Sequence, residues 1–331
     1  MAKALTTFNR SEIVESTHKV KILVTKYNGK ILYSTNNDND LIYPRSAIKI
    51  FQAIPFVQSR AIDTYKLNSK IVSLACSSHR GEKFHINKLS EWLNKVNISE
   101  KVLKCGVHYP LNENAKQSIL RSNTKINQIY NNCAGKHLAM ITSCLKNSYD
   151  IKNYLDFNHP HQKNIRKIFN KFSNTKITKK NSGIDGCSAP QYAFKMKDLS
   201  KMLSNLLEGY NNNFDYNQEI KILINSIISN PNYIGGTDSL DSRIMSISKK
   251  KIFCKGGAEG VFLFLHLKKG IFGILKVSDG NERVLPSVMY SFCKKFKLLN
   301  NKEINEFKLW NNLMLYNHAN IKIGDIKTII E

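Results

Sequence analysis

The sequence predicts an α/β (α+β) fold: a mostly antiparallel sheet built from both chain ends, flanked by helices, with a helical lobe between. Three observations carry that expectation. Near the N-terminus, Val20, Ile22 and Val24 alternate with polar residues, Asn28-Gly29 supplies a turn, and Ile31-Leu32-Tyr33 returns. Both residues of a two-residue hairpin turn must accept positive φ, so Asn-Gly between β-rich runs is a strong hairpin signal. Near the C-terminus, residues 261–267 and 271–277 form a second strand-like pair joined by Lys268-Lys269-Gly270. Between the pairs, residues 86–96, 136–145, 197–207 and 218–228 show the apolar spacing of three and four expected of half-buried helices.

The remaining elements follow in order. A polar loop covers residues 36–40, and a helix is expected to open near Arg45, carrying Ile48, Ile50, Phe51 and Ile54. After the second hairpin another helix fits, with Pro286 near its start and Val288, Met289 and Phe292 as its buried stripe. Residues 18–82 and 250–300 would form the sheet lobe and 83–249 the helical lobe of one domain, residues 1–331. The cleft where two such lobes meet is the expected ligand site.

Composition bounds the function. The chain has 331 residues, 42% hydrophobic and 10% aromatic, which are globular values. No run approaches the roughly 18 uncharged apolar residues of a membrane-spanning helix. The N-terminal segment MAKALTTFNRSEIVES lacks the apolar core of a signal peptide, so a cytoplasmic protein is expected. Seven cysteines, at 76, 105, 133, 144, 187, 254 and 293, are widely spaced and suit free thiols or metal ligands better than a disulfide framework. The net charge of +25 comes from lysine, since arginine occurs only at 10, 45, 60, 80, 121, 166, 243 and 283. Arginine supplies the bidentate contacts of nucleic-acid readers. Here lysine is scattered, and the denser patches (Lys176, Lys179 and Lys180; residues 249–251) sit in polar, turn-like stretches. They read as solvated faces rather than a nucleic-acid stripe.

Several short strings carry candidate chemistry. Arg45-Ser46-Ala47-Ile48-Lys49 places Ser46 and Lys49 three residues apart, on one helical face. A lysine whose pKa is lowered by burial and nearby cations can take the proton of a serine hydroxyl. An isolated Ser-x-x-Lys in a lysine-rich chain equally describes a capping serine and a surface lysine. Cys76-Ser77-Ser78-His79-Arg80-Gly81-Glu82 follows an apolar run and suits either a substrate-facing loop or a turn with a helix cap. Cys254-Lys255-Gly256-Gly257-Ala258-Glu259-Gly260 sets a lysine among glycines that allow close backbone approach, or simply leads into the hairpin. Their order is that of the serine β-lactamase motif set. The match is partial, since Ser77-Ser78-His79 is not Ser-Asp-Asn and Lys255-Gly256-Gly257 is not Lys-Thr-Gly.

Two further strings bear thiols. In Asn131-Asn132-Cys133-Ala134-Gly135-Lys136-His137, Cys133 and Lys136 share a helical face, and Gly183-Ile184-Asp185-Gly186-Cys187 adds a second sulfur. With His137 or Asp185 they could form a small metal site, for which thiolate and imidazole favour Zn²⁺. Buried free cysteines are the alternative.

Six strings occur together and in order: Pro44-Arg45-Ser46-Ala47-Ile48-Lys49, Ser78-His79-x-Gly81-Glu82, Cys105-Gly106-x-His108-x-Pro110, Asn132-Cys133-Ala134-Gly135-Lys136-His137, Asp185-Gly186-Cys187-x-x-Pro190 and Lys255-Gly256-Gly257-Ala258-Glu259-Gly260. In this the chain resembles the L-asparaginase II family of the thermolabile, rhizobial type, over about residues 18–300. The resemblance implies a serine β-lactamase/glutaminase-like fold, a homodimer, and hydrolysis of L-asparagine to L-aspartate and ammonia. It implies Ser46 as nucleophile with Lys49 as base, and Ser78 with Lys255 as a second pair. It further implies Cys133, Lys136 and Cys187 as zinc ligands with a water as the fourth. Asp185 would hold the substrate amino group or that water, and Arg45 and His137 are assigned to substrate binding. Val107 and Arg80 stand where smaller or more polar residues are expected, which bears on substrate preference. The competing functions are a glutaminase or other Ser–Lys acyl hydrolase, an inactive small-molecule-binding relative, and a basic nucleic-acid-binding protein.

Overall fold

A computed structural model describes residues 3–331; the first two residues of the N-terminal segment discussed above lie outside them. The chain opens with strands β1 (Ala4–Arg10), β2 (Ile13–Lys26) and β3 (Ile31–Ser34). Four short strands follow: β4 (Leu41–Ile42), β5 (Ser182–Ile184), β6 (Pro190–Tyr192) and β7 (Phe194–Lys195). The C-terminal part supplies β8 (Ile252–Gly257), β9 (Val261–His266), β10 (Ile271–Val277), β11 (Met314–Tyr316) and β12 (Lys322–Ile330). Eight of these make one sheet in the order β11-β12-β1-β2-β10-β9-β8, with β3 also on β2. Every pairing in it is antiparallel.

Both expected hairpins form. Gly29 takes φ 82°, and β2 pairs β3 with Val24 opposite Tyr33. In the second hairpin Ile274 stands opposite Leu263. Every residue of β9 is buried, so this strand reads as an unbroken apolar run because both its faces are covered. Helix Met196–Tyr210 packs against β2 and β10, and helix Leu285–Lys295 packs against β12, while its Phe292 meets Tyr33 of β3 edge-on at 5.7 Å.

The expected middle helices appear as Lys83–Val96, Ala134–Lys146, Met196–Tyr210 and Asn217–Ser229. A further helix, Pro160–Ser173, starts with proline at its first turn and is capped by the His159 side chain. The helix expected at Arg45 is broken into a 3₁₀ turn, Arg45–Ile48, and two short helices, Lys49–Gln52 and Ile54–Gln58. Pro55 explains the break, since it has no N–H to donate to the preceding turn.

Two sequence expectations are corrected in detail. The sheet extends beyond residues 18–82 and 250–300, because β1 pairs β12 with Phe8 opposite Ile326, and β11 completes that edge. Lys255-Gly256-Gly257 ends strand β8 rather than forming a loop, and the turn follows it. Among the described residues no helix is long and apolar enough to cross a membrane.

Helices Ser69–Ala75 and Ala134–Lys146 cross at Gly135, where an added Cβ would lie 2.0 Å from the Leu74 carbonyl oxygen. That separation is impossible for a non-bonded carbon and oxygen, so the two backbones must part. Gly135→Ala is therefore expected to cost about 3 kcal/mol through overpacking, read as a lower urea midpoint at unchanged slope.

Candidate active site

Three chain segments meet to make the site. Strand β8 presses its last residue against the 3₁₀ turn that carries Ser46. A Cβ on Gly257 would stand 2.3 Å from the Pro44 carbonyl oxygen, so glycine sets how closely strand and turn approach. Just before Ser46, Arg45 adopts φ 52°, a left-handed conformation that costs free energy in a non-glycine residue. The third segment comes from the end of helix Ser69–Ala75, where the chain turns through Ser77 and Ser78; the Ser78 N–H donates to the Ile234 carbonyl at 2.8 Å. Ser46, Ser78, Asn132, Lys255, Gly256 and Gly257 then line one cavity of about 460 Å³.

Lys49 lies beneath it, 1% exposed. Its Nζ donates to the Ser77 carbonyl, to Ser78 Oγ at 3.2 Å and to Cys133 Sγ at 3.3 Å. Burial lowers its pKa, Lys136 and Lys255 push the same way, and the Cys133 sulfur opposes them. Its hydroxyl partner is thus Ser78, while Ser46 Oγ has no hydrogen bond among the described residues and opens on the cavity.

Lys255 also lines the cavity. Its Nζ donates to Asp241 Oδ2 at 2.9 Å and to the Gly256 carbonyl at 2.9 Å, so it shares the cavity with Ser78 but bonds elsewhere. Burial alone would raise the Asp241 carboxyl; Lys255 and the Ser239 hydroxyl outweigh it and hold it below the usual range. Asp241 was not found from the sequence. It sits in the first turn of helix Leu240–Ile247, where an acid is already accounted for by the helix dipole.

The thiol strings also converge. One donor atom each from Cys133, Asp185 and Cys187 lies within 4.8 Å of the others. Cys133 precedes helix Ala134–Lys146, and Asp185 and Cys187 sit in the turn joining β5 to β6, closed by the Asp185 N–H on the Ala189 carbonyl at 2.9 Å. Lys136 Nζ is 3.0 Å from Cys187 Sγ and 3.6 Å from Asp185 Oδ2, and Arg45 Nε donates to Asp185 Oδ1 at 2.7 Å. A hydrogen bond to Cys187, with burial, pushes the Cys133 thiol up to about 12. Accepting that bond, against burial and with help from Lys136, draws Cys187 down to about 5. Burial would lower Lys136, but the two sulfurs and Asp185 outweigh it and keep it protonated. Asp185 is raised by burial and lowered further by Lys136 and Arg45, so it is firmly ionised.

Two sulfurs and a carboxylate oxygen converging in a buried cluster fit the donor chemistry of zinc. Lys136 reaches the same cluster, and to offer a lone pair it must release its proton. His137 is fully buried and turned to Tyr154, with 2.6 Å between Nδ1 and the phenol oxygen; burial and then Lys136 take it down to about 3. It does not line the cavity. Arg45 lines a neighbouring groove with Tyr43, Gly183 and Ile184.

This combination of hydroxyls and buried lysines around one cavity is the kind of site that hydrolases of acyl compounds use. The L-asparaginase II family profile matches residues 6–328, nearly the whole chain, and the chain belongs to that family of hydrolases. No match is found among curated proteins. Among solved structures, one described as a "putative beta-lactamase from Bacteroides dorei DSM 17855" aligns with 12% identity and a TM-score of 0.43, covering 82% of this chain and 92% of that one.

The Lys255–Asp241 pair generates a prediction. Both groups are buried, and removing one partner of such a pair strands the other charge. Asp241→Asn should lower stability by about 3–5 kcal/mol in urea denaturation. The double substitution Asp241→Leu with Lys255→Met should recover much of that loss, because it removes both charges.

Proposed function

We propose that the protein is an L-asparagine amidohydrolase, releasing L-aspartate and ammonia. The observation that carries the proposal is the opening of Ser46 and Ser78 onto one cavity, with Lys49 buried beneath them and Lys255 on the wall. Ser46 Oγ attacks the side-chain amide carbonyl, and Lys49, whose burial favours the neutral amine, is the base that accepts the proton. Ser78, hydrogen-bonded to Lys49, is the hydroxyl through which that proton reaches the departing ammonia. Water then hydrolyses the acyl-enzyme by the reverse path. Lys255, fixed by Asp241, acts as a standing positive charge beside the developing oxyanion.

An oxyanion donor is also needed. The Gly256 N–H is directed to Asp241 Oδ2 at 3.4 Å, whereas the Ser46 N–H lies in the first turn of its helix, where amides lack an intrahelical partner. We assign the role to Ser46; a preorganised donor of this kind is worth roughly 3–4 kcal/mol. Asp185 and Arg45 are assigned to the substrate's amino and carboxylate groups, which would have to replace the 2.7 Å pairing of the two residues with each other. Cys133, Lys136 and Cys187, with Asp185 beside them, would hold a zinc ion, whose charge would serve to orient the substrate.

Ser46→Ala is expected to reduce ammonia release from asparagine by roughly 10⁴-fold or more, as loss of a nucleophile does. Retained turnover in Ser46→Ala together with loss in Ser78→Ala would transfer the nucleophile's role to Ser78. Glutamine, one methylene longer, should be turned over about 10- to 200-fold less efficiently than asparagine in a pocket fitted to the shorter side chain. Elemental analysis of the purified protein should find stoichiometric zinc, and Cys187→Ser should lose most of it.

A further inference from the structure

The cavity is larger than asparagine requires. Its volume of about 460 Å³ falls within the roughly 300–1,000 Å³ typical of sites for drug-sized ligands. Ser46, Ser78 and Lys255 share its lining with the apolar side chains of Leu111, Leu240, Leu285, Pro286 and Trp310. Ammonia, the leaving group from asparagine, has no use for such a surface.

Two of the carboxylates on that wall already have a cationic partner. Asp238 is paired with Arg243 at 2.9 Å and Asp241 with Lys255 at 2.9 Å. The carboxylate of Glu82, next to the cavity loop, accepts from the Thr237 N–H at 3.0 Å and the Thr237 hydroxyl at 2.9 Å. Glu282 also lines the cavity, with no ion pair among the described residues. Arg80 also lines the cavity, yet its guanidinium forms no ion pair and no hydrogen bond among the described residues. Its stem lies along Gly236, whose added Cβ would approach Arg80 Cδ to 3.1 Å. An arginine fork without a partner in a largely apolar chamber is suited to a carboxylate delivered by a ligand.

We propose that the enzyme also hydrolyses β-aspartyl amino acids, in which the amide nitrogen of the aspartyl side chain belongs to an apolar amino acid. Arg80 binds the carboxylate of that leaving amino acid and the apolar wall receives its side chain. The inference rests on the amidohydrolase reading above, since the same chemistry is used. Ser46 Oγ bonds to the β-carbonyl carbon, the C–N bond breaks, and the nitrogen leaves with the proton held by Lys49 as a free amino acid. Water then adds to the acyl carbon, Ser46 regains its proton, and aspartate departs; the sum is one amide and one water to two amino acids.

The test compares three substrates on the wild-type protein and on Arg80→Gln: asparagine, β-aspartyl-leucine, and the isopentylamide of the same aspartyl carboxyl, which lacks only the leucine carboxylate. Wild-type protein is expected to release leucine from β-aspartyl-leucine. In Arg80→Gln the ratio of kcat/KM for β-aspartyl-leucine to that for the isopentylamide should fall roughly 10- to 100-fold, the range for a lost hydrogen bond to a charged group. Arg80→Lys, which keeps the stem on Gly236 and the charge, should recover part of the ratio. Ammonia from asparagine without leucine from the dipeptide overturns this proposal and leaves the amidohydrolase standing. Release of neither product overturns both. An unchanged ratio, or an equal loss on all three substrates, removes Arg80 from the leaving-group subsite and overturns the assignment.

Discussion

Three lysines are buried in one site: Lys49 at 1% exposure, Lys136 at 2% and Lys255 at 3%. Taking a charged amine out of water costs several kcal/mol, and neighbouring like charges add to that cost. Each lysine is answered differently. Lys255 faces the Asp241 carboxylate, and Lys136 faces Asp185 and the low-pKa sulfur of Cys187. Lys49 has a carbonyl, a hydroxyl and a thiol that holds its own proton. It is the one of the three without a carboxylate within ion-pair distance, and so the one whose environment favours the neutral amine. Under the proposed mechanism, the division between standing cations and a base would follow from where the acids are placed.

That placement explains why the fold joins distant segments. Asp241 comes from the helix before β8, Asp185 from the β5–β6 turn, and Cys133 from the residue preceding another helix. No local stretch could gather them. Close backbone contacts at Gly257 and Gly135 bring the segments together with little freedom. Charge matching is thus concentrated inside. Outside, most of the lysines behind the net charge of +25 are solvated and unmatched, as expected where solvent screening makes pairing worth little.

What could be read from the sequence was what lies close along the chain. The hairpins were legible because alternation and an Asn-Gly turn are local, and the middle helices because their apolar period is local. Ser46, Lys49, Ser78, Lys255 and the two cysteines were legible as short strings. The pairing of Lys49 with Ser78, and of Lys255 with Asp241, was not, because it depends on packing between elements far apart in sequence. Asp241 offered no string of its own. Strands β1, β11 and β12 were missed because the pairing that defines them, as in Phe8 opposite Ile326, joins the two ends of the chain and leaves no local signal. The break after the Ser46 helix was readable in principle from Pro55, yet the apolar spacing around it runs straight through.

The thiol cluster extends the charge argument to metal binding. The Lys136 ammonium now supplies the positive charge that the Cys187 sulfur and the Asp185 carboxylate require. A zinc ion held by Cys133, Lys136 and Cys187 would supply it in Lys136's place, so Lys136 and the Cys133 thiol would both have to release protons on binding. The exchange would also reach Lys49. Its pKa is lowered by burial and by the Lys136 charge and raised by the Cys133 sulfur, so both of its nearest influences in the cluster would change together. Deprotonated Cys133 would sit 3.3 Å from Lys49 Nζ, and the gain in local negative charge would be offset by the metal that caused it. Under the proposed zinc binding, the cluster and the base would therefore form one electrostatic unit, in which a substitution at Cys133 or Cys187 acts on the protonation of Lys49 as well as on the metal.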